Sequence, residues 1–226
     1  MKLGVLTGLA REVKCLPKPS TKMLISCAGA MPNQAEHLSK RFIDQGCGAL
    51  LSFGIAGALG PDVQVGDTVV STGVINAKGE VFFADVSWLH RVIVLLDQNL
   101  SPIHKGLIYG SDKIISTPQL KSEIYASSKA ICVDMETHRM ALVAGRASIP
   151  FLAIRVISDD TSSTIPSAAL GVIGKNGKPL IGRVIRGILQ HPNQALALMA
   201  LYRDMETALK TLRRVPGILG PLLCAV

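Results

Sequence analysis

Hydrophobic residues recur along this chain in short runs broken by glycine, spaced like the strands of a buried sheet. Lys2 to Thr7 is apolar and stops at Thr7-Gly8. Lys22 to Cys27 is a second run, followed by Ala28-Gly29. Gly48 to Phe53 is a third, and the Gly54-Ile55-Ala56-Gly57 after it reads as a tight turn. Gly66 to Ile75, Lys105 to Tyr109, Ala130 to Val133 and the β-branched Phe151 to Ile157 predict four more strands. Strands without a polar face need cover on both sides. Helical spacing supplies it at Asn33 to Gln45, Trp88 to Gln98 and Asp134 to Ala147. Thr161 to Lys178, rich in Ser, Gly and Pro, predicts a loop. Two helices follow, Leu180 to Leu189 and Asn193 to Arg214; Pro192 suits the start of the second and Pro216 its end.

Composition narrows the class. The 226 residues suit one α/β domain, here 1–214, with an apolar tail at 215–226. Mean hydropathy is +0.37. Even so, no stretch approaches the roughly 18 consecutive apolar residues of a membrane span. Met1 to Leu9 reads as a first buried strand and not as a signal peptide. The five cysteines form no CxxC pair, which predicts reduced thiols in a cytoplasmic setting. No two histidines have metal-ligand spacing, so no metal is expected. The net charge of +8 favours anionic partners, but 4% aromatic residues argue against a base-stacking surface for nucleic acid. Much of the charge comes late, at Arg183, Arg186, Arg203, Lys210, Arg213 and Arg214.

Three segments carry acidic side chains at or just beyond predicted strand ends, where open α/β sheets bind ligands. They are Gly8-Leu9-Ala10-Arg11-Glu12, Val133-Asp134-Met135-Glu136 and Arg155-Val156-Ile157-Ser158-Asp159. Singly, Glu12 reads as a solvated helix-start residue, Asp159 as a cap or turn, Glu136 as a surface helix charge and Arg155 as an ion-pair partner. Cys27 and Cys132 read as packed thiols, and His138 as a helix surface residue that could instead rim a site.

Taken in order, these strings resemble the nucleoside phosphorylase and nucleosidase superfamily over roughly Met1 to Gln190. Met1 to Val13 is similar to the opening of methylthioadenosine/S-adenosylhomocysteine nucleosidases. Phe53 to Leu59 with Val65 to Val70 resembles the superfamily's Gly-rich turn and following strand. Val133 to Glu136 resembles its ribose signature, and Arg155 to Asp159 its base signature. The resemblance implies a three-layer α/β/α fold around a central twisted mixed sheet. It also implies cleavage of an N-ribosidic bond, with adenine leaving from an adenosine-containing substrate and no cofactor beyond phosphate as a possible co-substrate.

It further implies roles. Glu12 would activate the attacking water. Glu136 would hold the ribose hydroxyls, with Asp134 in the same signature and Met135 beside the sugar. Asp159 would protonate purine N7, its acidity tuned by apolar burial. Ile114 and Ile115 would wall the base. Ser26, Ala28 and Gly29 would line the ribose side. Arg11 would hold phosphate if the reaction were phosphorolysis. A second arginine is lacking where Ser52 stands, so hydrolysis is the favoured expectation. Ile165 to Leu170 and the basic last helix resemble a hopanoid-associated branch, which implies adenosylhopane as substrate. Other readings left open are a general methylthioadenosine/S-adenosylhomocysteine nucleosidase and a non-catalytic nucleoside-binding scaffold. The expected partners are a small or lipid-linked nucleoside, further copies of the chain, and a membrane surface touched through residues 192–226. The last would place the protein at the inner face of the membrane.

Overall fold

A computed structural model describes residues 1–100 and 102–220. Its elements, in chain order, are β1 (Leu3–Thr7), α1 (Ala10–Val13), β2 (Met23–Cys27), α2 (Pro32–Asp44), β3 (Ala49–Ala58), β4 (Thr68–Asn76), β5 (Val81–Phe83) and α3 (Val86–Asp97). They continue with β6 (Ile103–Gly110), α4 (Pro118–Ser128), β7 (Cys132–Asp134), α5 (Thr137–Arg146), β8 (Phe151–Asp159), α6 (Ile181–Gln190) and α7 (Ala195–Leu219).

The strands form one mixed sheet in the order β2-β1-β3-β7-β6-β4-β5, with β8 pairing both β3 and β4. Strand β3 runs parallel to β1 and β8 and antiparallel to β7. Strand β4 in turn runs parallel to β6 and antiparallel to β8. The strands β3, β8, β4, β6 and β7 therefore close on themselves, which converges the ends of β3, β7 and β8.

Alternation along the strands sorts side chains into two cores. Leu51, Phe53, Leu152, Ile154 and Val156 face a layer that holds Trp88, Val92 and Leu96 of α3 and Leu209, Leu212 and Val215 of α7. Leu50, Ala56, Ala153 and Ile157 face Leu38 and Phe42 of α2 and Met140, Ala141 and Val143 of α5. This is the expected mixed sheet between helical layers.

Four expectations change. Gly54 to Gly57 is no turn but part of β3, held by backbone pairing to β8. Asp134 ends β7 instead of starting a helix, because its carboxylate accepts the N–H groups of Glu136 and Thr137 and so caps α5 from outside. Helix α7 runs through Pro216 to Leu219, past the expected boundary at 214. Val215, Pro216 and Leu219 are buried there, and packing outweighs the missing proline donor. The same burial narrows the apolar surface expected through 192–226: Leu209, Leu212, Val215 and Leu219 belong to the core, whereas Leu196, Met199 and Tyr202 are exposed. Leu222 and Leu223 lie outside the described residues.

Candidate active site

Glu12 sits in the single turn of α1, directly after β1. Its side chain turns back so that Oε2 accepts the N–H groups of Gly8 (2.8 Å) and Leu9 (2.7 Å), the reach of a capping glutamate at the third helical position. Oε1 accepts the N–H of Ile55 on β3 at 2.8 Å. The carboxyl is buried, and burial raises its pKa against the pull of these donors and of Arg155.

Glu136 follows the β7–α5 corner that Asp134 builds. Asp134 pairs with Arg155 at 2.6 Å and also accepts the Thr137 hydroxyl. Arg155 further donates to Ser52 Oγ (2.5 Å) and Thr137 Oγ1 (2.6 Å), so a buried network locks the corner. Asp134 is thereby a positioning group, with both oxygens engaged by protein. Burial pushes the Glu136 carboxyl up to about 8, helped by the neighbouring charges of Asp134 and Glu12 and opposed by Arg155.

Asp159 ends β8. Its Oδ1 accepts the Ser158 hydroxyl at 3.1 Å, and its Oδ2 lies 2.5 Å from Nζ of Lys121. Lys121 is fully buried on α4 and also donates to the carbonyl of Asp160 at 2.5 Å. Apolar burial was the expected surrounding of Asp159; the structure supplies a cation instead. Neither Lys121 nor α4 was read from the sequence. Thr117-Pro118 was the available signal, since Thr117 caps the helix at Leu120 and Pro118 opens it.

Each of the three acids lies over a glycine. A Cβ at Gly8 would meet Glu136 Oε1 at 2.8 Å, one at Gly54 would meet Glu12 Oε1 at 2.6 Å, and one at Gly57 would meet Asp159 Oδ2 at 2.9 Å. Gly8 thus touches two carboxyls, holding Glu12 through its N–H and Glu136 over its Cα. Gly54 and Gly57, on one strand, link Glu12 to Asp159. The glycine-rich string exists to admit side chains that any Cβ would displace.

The remaining expected residues flank this centre. The Ala28 N–H donates to the Thr7 carbonyl, and the Ala30 N–H to that of Gly8, so the end of β2 with Ser26, Ala28 and Gly29 lies beside Gly8. Gly29 has φ of 68°, and the Lys175 carbonyl sits 2.5 Å from where its Cβ would be. Ala10 donates to the Gly177 carbonyl, so the segment around 174–177 closes over this side. Met135 is half-buried. Ile115 packs with Leu59, Val133 and Tyr125, whereas Ile114 is largely exposed. The Arg11 guanidinium is engaged by Glu206 of α7 at 2.5 Å and stacks on Tyr202. His138 is buried, not a surface residue, with Nε2 3.0 Å from Asp112. Cys132 is buried, and desolvation pushes its thiol far up.

A family profile described as the phosphorylase superfamily matches residues 19–178. A purine nucleoside phosphorylase DeoD-type of Jannaschia sp. is 26% identical over 149 residues, covering 61% of this chain and 64% of that protein. A 5'-methylthioadenosine/S-adenosylhomocysteine nucleosidase of Maridesulfovibrio salexigens is 28% identical over 138 residues, covering 51% and 60%. The chain spans about three fifths of the length of these curated relatives. The crystal structure of 5'-methylthioadenosine/S-adenosylhomocysteine nucleosidase from Neisseria meningitidis, in complex with methylthio-immucillin-A, shares the fold with a TM-score of 0.74 at 16% identity. That likeness covers 100% of this chain and 99% of the other. A sheet whose converging strand ends carry glycine-seated acids and a profile match over most of the chain agree: this protein belongs to the phosphorylase superfamily.

Proposed function

We propose that this chain is an enzyme that cleaves the N-ribosidic bond of an adenosine-containing substrate and releases adenine. The observation that carries the reading is the trio Glu12, Glu136 and Asp159, buried together and each seated over a glycine. A binding scaffold has little reason to bury three acids at one strand edge, since buried charge is costly.

Loss of the base leaves an oxocarbenium-like sugar, which nearby carboxylates stabilise. Asp159, held by Lys121 and Ser158, faces purine N7 and relays to the leaving base the proton that the attacking water gives up. Glu12 orients the attacking water. Glu136, with a raised pKa, hydrogen-bonds the ribose hydroxyls, Met135 packs beside the sugar, and Ser26, Ala28 and Gly29 line it. Ile114 and Ile115 wall the base.

Hydrolysis is favoured over phosphorolysis. Arg11 is already paired with Glu206, and Arg155 is spent on Asp134, Ser52 and Thr137. Adenosylhopane is the substrate we favour, which makes this a lipid-linked nucleoside presented at a membrane. The name of the Maridesulfovibrio relative supports a second reading, turnover of methylthioadenosine. Exposed Phe83 and Val86, at and just after the edge strand β5, suit assembly with further copies of the chain.

The test is adenine release from adenosylhopane and from methylthioadenosine, with and without phosphate. Release without phosphate from the first supports the reading. Release only from methylthioadenosine moves the substrate, strict phosphate dependence overturns hydrolysis, and no release from either leaves the scaffold.

A further inference from the structure

Helix α6 is the least enclosed helix of the fold. Val184, Gly187 and Ile188 turn inward, and a Cβ at Gly187 would meet Ala168 at 3.0 Å. Ile181, Ile185 and Leu189 recur every four residues on the other side and are 68%, 54% and 77% exposed. Leu196, Met199 and Tyr202 continue exposed apolar surface on the first turns of α7. Five large aliphatic side chains open to water along two adjoining helices are more than scattered surface residues.

Along the chain from 161 to 203 the charge has one sign; Asp204 and Glu206 follow, and Glu206 is paired with Arg11. No Asp or Glu occurs between residues 161 and 203, whereas Lys175, Lys178, Arg183, Arg186 and Arg203 do. None of these five forms an ion pair among the described residues. No helix among the described residues is long and apolar enough to cross a membrane. An amphipathic helix with an apolar strip and cationic flanks is built to lie in a lipid interface. Two copies meeting through this same face would set the five cations of one against those of the other, which an isologous contact cannot escape.

We propose that α6, with the first turns of α7, docks the protein on an anionic lipid bilayer. Ile181, Ile185 and Leu189 enter the interface, and Arg183 and Arg186 meet the headgroups. The docking face is continuous in sequence with the site: Lys175 and Gly177 close over Gly29 and Ala10, and α6 begins four residues after Gly177. Docking therefore sets the covered side of the carboxyl trio at the lipid surface. The use of that placement for a lipid-linked substrate rests on the proposed function; the docking itself does not.

The experiment is co-sedimentation of the full chain, without substrate, with phosphatidylcholine vesicles and with vesicles that also contain phosphatidylglycerol. Binding is expected only to the anionic vesicles, weakening as salt rises. Arg183→Gln with Arg186→Gln lowers partitioning roughly thirtyfold, at about 1 kcal/mol per basic residue. Ile185→Asp with Leu189→Asp abolishes it, with the helical circular dichroism unchanged. Absence of binding to anionic vesicles overturns the proposal. So does vesicle binding that survives Ile185→Asp with Leu189→Asp while self-association in sedimentation velocity is lost, which would make the face a contact between copies.

Discussion

At the converging strand ends, Glu12, Lys121, Asp134, Glu136, Arg155 and Asp159 are buried; on α6 and the start of α7, Ile181, Ile185, Leu189 and Leu196 stand in water. The two regions invert the usual partition of charge and apolar surface in opposite senses. The first is closed by its own chain: Arg155 answers Asp134, Lys121 answers Asp159, and backbone donors answer Glu12. The second finds no cover among the described residues. A buried charge must be partnered at the moment of folding, because no water remains to solvate it. An exposed apolar strip costs the fold little and can wait for a partner from outside.

The sharpest way to break this contrast is to remove a partner from the closed region. Arg155→Met strands Asp134 in the core and is expected to cost about 3–5 kcal/mol in chemical denaturation. A loss near that of a surface substitution would mean the corner is not held by this pair. Asp159→Asn keeps the shape and removes the proton carrier, so adenine release should fall about 10²–10⁴-fold. Full activity in that variant would remove Asp159 from the mechanism.

A smaller effect separates partnered from strained acids. In the unfolded chain Glu136 releases its proton near 4.5, and in the folded protein it keeps it to about 8. Its contribution to stability is therefore complete below 4.5 and lost as pH rises to about 8, by roughly 2–5 kcal/mol. Glu12 acts in the same sense. Glu136→Gln should flatten the stability profile across that window; an unchanged slope would show that Glu136 titrates normally. The smallest effect belongs to the open region. Ile185→Asp with Leu189→Asp should shift unfolding by less than about 1 kcal/mol, since neither side chain is in the core. A multi-kcal loss would mean that this face is covered in the free protein.

Much of the scaffold was legible because apolar runs that alternate into two cores leave little choice of element. The strands around Val5, Leu51, Val70 and Ile154 follow from this pattern, and all three acids could be placed at strand ends. The errors arose where a local signal met a tertiary one. Gly54-Ile55-Ala56-Gly57 has turn chemistry yet pairs along β8, because its glycines are needed for side chains above them and not for a bend. Pro216 signals a stop, yet Val215 and Leu219 gain enough by burial to carry the helix past it.

By itself the sequence determined the period of each element, the order of the three acidic segments and the acid-free basic stretch from 161 to 203, since these are properties of neighbours along the chain. The tertiary structure alone decided who meets whom. Lys121 reaches Asp159 across 38 residues, and its α4 shows no strong apolar period that would have marked the lysine as buried. Likewise α6 and α7 both carry apolar stripes, but only the later turns of α7 are covered. Helical spacing states that a face is apolar; what packs against it depends on where the chain closes the sheet, which no local pattern records.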